Sequence, residues 1–196
     1  MARWPAPGRC KQRLSGGLGS ARAARIQQLL TAHTLAVASQ LPGVEVVVAT
    51  DGVGPRAARR WLGARARLRW VGQGRGSLGV RMQRQINRAK QEGAQPVVLI
   101  GSDLPQLERA DLAAGFACLG AAAGDGCDLV LGPADDGGYW LIGLHQSEPY
   151  LLAGIPWGSD QVMGRTVECA EGLGLDVGLL ATRRDLDWPR DLLPWR

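Results

Sequence analysis

The segment PVVLIGSDLP, residues 96–105, decides the fold that the sequence predicts. Its first five residues are apolar and include β-branched side chains, which is typical of a strand buried in a sheet. Gly101 and Ser102 end this run, and Asp103 follows directly. At the carboxyl edge of an open α/β sheet, a carboxylate can hold Mg²⁺ or Mn²⁺ beside diphosphate oxygens. Asp103 followed by Pro105 is equally typical of a helix N-cap, so the motif alone leaves both roles open.

Apolar runs of this kind recur along the chain and alternate with helical patterns. The sequence predicts strands at 44–49, 68–71, 96–100, 128–131, 139–144 and 177–181. It predicts helices at 21–40, 55–62, 78–91, 109–119 and 161–173. Strands that alternate with helices indicate an α/β fold with a mainly parallel sheet. Because no internal repeat or low-complexity linker interrupts the pattern, we expect a single domain over residues 1–196.

The charge of the chain is unevenly distributed. The net charge is +5, but residues 1–100 hold 17 Lys or Arg and 3 Asp or Glu, whereas residues 101–196 hold 6 and 15. A basic half and an acidic half that meet at one cleft would suit phosphate on one side and a metal on the other. Nucleic-acid binding is disfavoured because the sequence lacks a zinc finger, a helix-turn-helix or interleaved aromatic and basic residues.

Composition also bounds the location of the protein. No apolar run approaches the 18 residues of a membrane span, and the first 14 residues are too polar for a signal peptide. The four cysteines are scattered without CxxC spacing, so neither a disulfide framework nor a zinc site is expected. We therefore expect a cytoplasmic protein with reduced thiols, no membrane partner and no nucleic-acid partner.

The basic segment PGRCKQRL, residues 7–14, has the composition of a phosphate-binding loop. Pro7 and Gly8 allow the backbone to approach a ligand closely, while Lys11 and Arg13 can reach phosphate oxygens. A solvated basic terminus is the competing interpretation. Such loops normally follow a β-strand, yet only residues 1–4 precede this one. Either the natural chain continues upstream with a short apolar run, which we favour, or this stub forms an abbreviated strand.

Three further segments combine glycine with charged or aromatic residues. GRGSLG at 74–79 matches GxGxxG, although it follows a late strand, and a chance match is favoured over a nucleotide loop. LGPADDGGYWLIGL at 131–144 contains a hairpin-type Asp-Gly turn, enlarged beyond what a hairpin requires. IPWGS at 155–159 and DLDWPRDL at 185–192 complete the set. Capping alone could account for one carboxylate of the last segment.

The order of these motifs is more specific than any one of them. PGRCKQRL, QGRGSLGVRM, LIGSDLPQL, LGPADDGGYWLIGL, IPWGS and DLDWPRDL together resemble a bacterial family of GT-A-like glycosyltransferases associated with arsenosugar biosynthesis. That family is related to molybdenum-cofactor and phospholactate nucleotidyltransferases. The resemblance extends from Trp4 to Leu192. Its members carry an apolar strand before the ARWP-like segment and a threonine where Gln12 stands here, so the first strand is truncated by comparison.

The resemblance implies a nucleotide-diphospho-sugar transferase fold, a Rossmann-like three-layer sandwich, and metal-dependent glycosyl transfer from a nucleotide sugar to a small-molecule acceptor. Nucleotide and phosphate contacts would come from Pro7, Gly8, Lys11, Arg13, Gln73, Gly74 and Gly79. Asp103 and Asp187 would hold a divalent metal, Mg²⁺ or Mn²⁺. Asp136 is the predicted catalytic residue, in contact with base or sugar, and the acceptor side would fall to Gly137, Gly138, Tyr139 and Trp157.

Two alternatives to glycosyl transfer stay open at this point. A nucleotidyltransferase acting on a phosphorylated small molecule would use the same fold, loop and metal. A non-catalytic nucleotide-binding protein would need the loop alone. The sequence also leaves a homo-oligomer open, because a missing first strand would expose unpaired backbone groups through which chains can associate.

Overall fold

The computed structural model describes residues 1–62, 68–120 and 126–195. The described strands are β1 (Ala2–Arg3), β2 (Val46–Asp51), β3 (Leu68–Gly72), β4 (Val97–Ile100), β5 (Leu129–Pro133), β6 (Tyr139–Leu144) and β7 (Val177–Leu179). The helices are α1 (Gln12–Leu18), α2 (Ser20–Ala38), α3 (Pro55–Leu62), α4 (Leu78–Gln91), α5 (Arg109–Gly120) and α6 (Val162–Gly172), and a 3-10 helix covers Pro189–Trp195. Strands and helices alternate, which confirms the α/β prediction.

The described residues fall into two compact units. The first unit contains the described parts of Met1–Gly72, Gly101–Arg109 and Asp185–Arg196. The second contains those of Gln73–Ile100 and Ala110–Arg184. The chain therefore passes from the first unit to the second and back more than once. The single-domain assignment stays a prediction.

The first unit is built on a parallel sheet of strand order β1-β2-β3. Ala2, Leu35 and Val48 form a buried cluster beside this sheet, with Leu68 and Trp70 packed against it. A second cluster, formed by Leu14, Ala23, Leu30 and Leu186, joins α1 and α2 to the C-terminal segment. Burial of these side chains is the main stabilising contribution in this unit.

The stub before the basic loop forms strand β1. Its two residues pair in parallel with the end of β2, Ala2 with Thr50 and Arg3 with Asp51. The Trp4 N–H extends the pairing by donating to the Asp51 carbonyl oxygen at 2.9 Å. The basic loop thus follows a strand, although a short one. The existence of further strand residues upstream of Met1 stays a prediction.

The second unit contains a mixed sheet of strand order β4-β6-β5-β7. Strand β6 runs antiparallel to both β4 and β5, while β5 and β7 are parallel. Its central strands carry the fully buried side chains of Leu129, Leu131, Leu141, Ile142 and Leu144. Among the described strands, three of the five pairings are parallel, in agreement with a mainly parallel arrangement.

One prediction about the cysteines is wrong. Cys118 and Cys127 form a disulfide, while Cys10 and Cys169 are free thiols. The pair is nine residues apart and lacks CxxC spacing, but the end of α5 and the approach to β5 bring the two Cα atoms to 5.7 Å. That separation lies in the usual range for a disulfide. The sequence could not reveal it, since the contact depends on where α5 ends.

None of the described helices combines the length and the apolar character needed to cross a lipid bilayer.

Candidate nucleotide and phosphate sites

The basic loop of the first unit lies at the carboxyl end of β1, as its composition predicts. Pro7 and Gly8 are exposed, and Gly8 has a φ of +76°, a conformation that glycine adopts without a steric cost. The Arg9 N–H donates to the Ala6 carbonyl oxygen at 3.0 Å and closes a turn. The turn directs the chain into Lys11, the residue that precedes α1.

Lys11 has an unusual backbone. Among the described residues it is the one non-glycine residue with a positive φ, +47°. The left-handed conformation costs a non-glycine residue about 1–2 kcal/mol, so other contacts must hold it in place. Its side chain is only 3% exposed. This burial rules out the interpretation of Lys11 as part of a solvated basic terminus.

The Lys11 ammonium lies between two carboxylates. Its Nζ is 2.7 Å from Asp103 Oδ1 and 2.8 Å from Asp187 Oδ1. Burial alone would lower the pKa of Lys11, but the carboxylates of Asp103 and Asp187 oppose this and raise it above the usual lysine value. The lysine is therefore charged across the physiological pH range. Asp103 and Asp187 are 92 and 176 positions away from Lys11 in the sequence, yet both contact its ammonium. Three of the predicted site residues are thus brought together.

Arg13 joins this cluster from the solvent side. Its Nη1 is 3.4 Å from Asp187 Oδ2, and its guanidinium lies 5.3 Å from the centre of the Trp188 ring. The Arg13 side chain is 52% exposed, so this ion pair is weak and can be exchanged for another anion at little cost. Arg13 is thus placed to reach a phosphate group that approaches Lys11.

The local backbone explains why Asp103 and Asp187 point at Lys11 instead of capping helices. Helix α5 begins at Arg109, six residues beyond Asp103, so the N-cap interpretation of Asp103 is wrong. In the C-terminal segment, Asp191 is the capping residue, since its Oδ2 accepts from the N–H groups of Asp187 and Trp188 at 3.0 and 2.7 Å. Asp187 is thereby left for the lysine.

Helix α2 fixes the segment that carries Asp103. Gln27 is buried and donates from Nε2 to the Ser102 hydroxyl at 3.2 Å, next to Asp103 in the chain. His33 Nε2 lies 3.0 Å from the Leu107 carbonyl oxygen further along the same segment. From the other side, the Leu186 N–H donates to the Asp103 carbonyl oxygen at 3.0 Å. These bonds hold Asp103 and the segment that leads to Asp187 together.

The chemistry of the two carboxylates fits a hard divalent cation. Mg²⁺ and Mn²⁺ prefer oxygen ligands, and in phosphate-handling sites Mg²⁺ is often held by one or two carboxylates plus the phosphates themselves. The side chains of Asp103 and Asp187 are 41% and 32% exposed, although Oδ1 of each already contacts the Lys11 ammonium. Within the described residues, no three His, Cys, Asp or Glu side chains cluster as a metal site. The protein therefore offers two ligands here, and the remainder would come from substrate and water.

In the second unit, helix α4 holds the predicted nucleotide loop. The Arg84 guanidinium donates to the carbonyl oxygens of Gln73 and Arg75, at 2.6 and 2.9 Å. Gly74 lies between these residues with a φ of +78°, and a Cβ there would be 2.5 Å from Arg84 Nη1. The Gln73 side chain is buried and its Oε1 accepts from Arg81 Nη1 at 3.0 Å. Residues 73–75, which include the first two positions of the GxGxxG match, are thus held against α4.

Gly79, Tyr139 and Trp157 are brought together in the second unit. A Cβ on Gly79 would lie 2.6 Å from the Leu152 carbonyl oxygen and 2.9 Å from Trp157 Nε1, so a larger residue would displace α4 from that segment. The rings of Tyr139 and Trp157 meet edge to face with centres 6.2 Å apart. Burial raises the pKa of the Tyr139 hydroxyl, and Thr166 opposes this only in part, so Tyr139 stays neutral.

Asp136 lies in the turn that joins β5 to β6. Its carboxylate is exposed, and Oδ1 accepts from the Gly138 N–H at 3.0 Å, as expected for an aspartate that shapes a hairpin turn. Gly137 follows with a φ of +85°, and its carbonyl oxygen accepts from the Met163 N–H at 2.8 Å. The turn is thus fixed against the start of α6. Its catalytic role stays a prediction.

Four positioning residues were not identified from the sequence: Gln27 and His33 in the first unit, and Arg81 and Arg84 in the second. Gln27 had a usable signal, because it shares a buried helical face with Thr31 and Thr34. Nothing in the sequence distinguishes Arg81 and Arg84 from the many other arginines of residues 1–100. Their contacts with the loop depend on how α4 packs.

The clamp formed by Arg84 can be tested without a ligand. We expect Arg84→Met to speed amide hydrogen exchange in residues 74–76 about tenfold, because two charged hydrogen bonds to the loop are lost. Arg88→Met is the matched control, since among the described residues the Arg88 guanidinium donates to Gln85 Oε1 of its own helix, at 3.0 Å, and not to the loop. Hydrogen exchange followed by mass spectrometry measures both. Equal exchange in the two variants would contradict a special role for Arg84.

Comparison with known structures supports the fold. A crystal structure named "putative nucleotide-diphospho-sugar transferase", from Desulfovibrio desulfuricans G20, matches with a TM-score of 0.87 and 29% identity, covering 97% of this chain and 81% of that chain. The predicted nucleotide-diphospho-sugar transferase fold is thereby confirmed. Two further structures share the fold with TM-scores of 0.52. One is a mycobacterial protein with 17% identity, covering 83% of this chain and 63% of that chain. The other is from Mycobacterium tuberculosis H37Rv, with 23% identity, covering 95% and 91%.

Comparison with sequence families assigns the chain to a family. No curated protein matches the chain. The model of DUF2064, described as uncharacterized protein conserved in bacteria, matches residues 34–159. Since this match spans more than half of the 196 residues, the chain belongs to the DUF2064 family of bacterial proteins.

Proposed function

We propose that this chain is a metal-dependent glycosyltransferase that uses a nucleotide-diphospho-sugar donor and a small-molecule acceptor. The observation that carries the proposal is the Lys11–Asp103–Asp187 cluster, which combines a buried cation from the loop after β1 with two partly exposed carboxylates. The similarity at 29% identity to the Desulfovibrio structure named as such a transferase supports the same class of donor.

The first unit would bind the diphosphate. Lys11 and Arg13 would donate to its oxygens and stabilise the negative charge that develops as the bond between the anomeric carbon and the diphosphate breaks. Mg²⁺ or Mn²⁺ bound by Asp103 and Asp187 would add positive charge to the departing group. Pro7 and Gly8 have no long side chain, so that the diphosphate can approach the backbone at these two positions.

A separate candidate site in the second unit contains the residues that the resemblance assigns to base, ribose, sugar and acceptor. Gln73, Gly74 and Gly79 are assigned to the base and ribose, on a loop that Arg84 already holds in place. Asp136 would contact the sugar or the base through its exposed carboxylate. Gly137, Gly138, Tyr139 and Trp157 are assigned to the acceptor, whose hydroxyl would attack the anomeric carbon. Since Tyr139 is neutral, it would donate or accept a hydrogen bond without removing the proton.

A binding experiment tests the phosphate assignment. Replacing Lys11 and Arg13 together by alanine should weaken nucleoside diphosphates by tenfold or more, since each charged hydrogen bond contributes about 1.5–3 kcal/mol, while nucleosides bind as before. Calorimetry on both ligand classes measures this. Arg9→Ala is the control, because Arg9 is exposed in the same loop and carries the same charge. Equal weakening of nucleosides and diphosphates by the double variant would argue against the assignment.

The resemblance to enzymes of arsenosugar biosynthesis, and the relation to molybdenum-cofactor and phospholactate nucleotidyltransferases, remain predictions. We propose a donor-first search, in which a nucleotide sugar is identified before acceptors are tried, because more residues are assigned to the donor than to the acceptor.

A further inference from the structure

The Lys11 ammonium occupies the position between Asp103 and Asp187 that a shared metal ion would take. Both carboxylates direct Oδ1 at the same Nζ atom, at 2.7 and 2.8 Å, and the lysine side chain is almost completely buried. The left-handed backbone of Lys11 shows that this arrangement is maintained against a local steric cost. The ammonium is thus a built-in counter-ion of the carboxylate pair.

A divalent cation would meet two obstacles at this pair. The lysine neutralises half of the carboxylate charge, and its own positive charge repels a second cation at contact distance. The pair also supplies only two protein ligands, whereas Mg²⁺ demands six in an octahedron. A diphosphate removes both obstacles, because it brings oxygen ligands for the metal and offers the ammonium another anion.

We infer that Lys11 makes metal binding conditional on the diphosphate: the ammonium excludes the divalent cation from Asp103 and Asp187 until a nucleoside diphosphate group draws it away. This inference rests on the proposed function and deepens it. By linkage, the factor by which the nucleotide raises metal affinity equals the factor by which the metal raises nucleotide affinity. The free protein would therefore bind the divalent cation more weakly than the nucleotide complex does, by that same factor.

Titration with Mn²⁺ alone separates this inference from the proposed function. Paramagnetic resonance of free Mn²⁺ measures binding in the absence of nucleotide. Lys11→Met should bind Mn²⁺ about tenfold or more tightly than the unchanged protein, within the usual range of coupling between two ligands. Arg13→Met, which removes an equal charge from the exposed side of Asp187, should change the affinity much less. Adding Asp103→Asn to Lys11→Met should abolish the gain.

A second measurement uses the unchanged protein, in case Lys11→Met folds poorly. Lys11 and Lys90 are the only lysines of the sequence, so ¹⁵N-lysine labelling gives two side-chain ammonium signals. Mg²⁺ alone should leave the Lys11 signal in place, whereas Mg²⁺ with uridine or guanosine diphosphate should shift it. Equal Mn²⁺ affinity in the unchanged protein and Lys11→Met, or displacement of Lys11 by Mg²⁺ alone, would overturn the inference. If no nucleoside diphosphate binds, the proposed function fails and the coupling to the diphosphate fails with it, while the Mn²⁺ comparison still decides whether Lys11 excludes the cation.

Discussion

Gly137→Ala is expected to lower the free energy of unfolding by about 2–5 kcal/mol. A residue with a side chain at a φ of +85° carries a strain of about 1–2 kcal/mol. The new Cβ would also lie 2.2 Å from the Asp160 carbonyl oxygen, a backbone atom that cannot rotate away, and overpacking of this kind adds about 1–3 kcal/mol. Chemical denaturation followed by circular dichroism measures the change.

Gly158→Ala provides the matched control for that prediction. Gly158 has a φ of +90° in the same unit, but nothing lies within 4 Å of its Cβ position. It should lose only the strain, about 1–2 kcal/mol. The difference between the variants therefore isolates the contact of the 136–138 turn with residue 160. Equal losses in the two variants would show that this contact does not constrain the turn.

Asp103→Asn is expected to remove the Mn²⁺-dependent part of nucleoside diphosphate affinity, a loss of roughly 100-fold if one metal ligand is lost. The fold should survive, because Asp187 still neutralises the buried Lys11 and the amide keeps a similar shape. Calorimetry with and without Mn²⁺ measures the effect. Since α5 begins at Arg109, loss of a helix cap cannot account for any change seen.

The control for Asp103→Asn is Asp176→Asn, which removes the same charge from an exposed position in the other unit. It should leave the Mn²⁺ dependence unchanged. If Asp103→Asn binds nucleotide with the Mn²⁺ response of the unchanged protein, Asp103 is not a metal ligand, and its role is to hold Lys11.

The bounds of helices and strands could be predicted where the hydrophobic periodicity agrees with the residues that typically begin or end such elements. Helices α3 and α4 and strand β6 have the bounds that the sequence predicts, and Ser77 caps α4 by accepting from the Val80 N–H. Helix α1 was missed because Gly16 and Gly17 are typical of a loop. Gly17 is explained by tertiary packing: its Cβ position lies 2.9 Å from Pro189, which is 172 residues away.

The candidate site could be predicted residue by residue but not as an arrangement. Asp103 was placed by its strand and Lys11 by its loop, since local pattern decides both. Asp103 and Asp187 both contact the Lys11 ammonium. This contact depends on the long-range packing of α2 and the C-terminal segment. Spacing along the chain contains no signal for such a contact, so the sequence assigns Lys11 to a phosphate loop without predicting its burial.

Product analysis tests the central claim most directly. The protein is incubated with Mn²⁺ and a panel of nucleotide sugars, with and without candidate small-molecule acceptors, and in parallel with nucleoside triphosphates and sugar phosphates; the products are separated by chromatography. Glycosyl transfer predicts that a nucleoside diphosphate is released from at least one nucleotide sugar, slowly by hydrolysis and faster with an acceptor, and that Asp103→Asn stops the release. Pyrophosphate released from a triphosphate, with every nucleotide sugar left intact, would contradict the claim and assign the chain to nucleotidyl transfer.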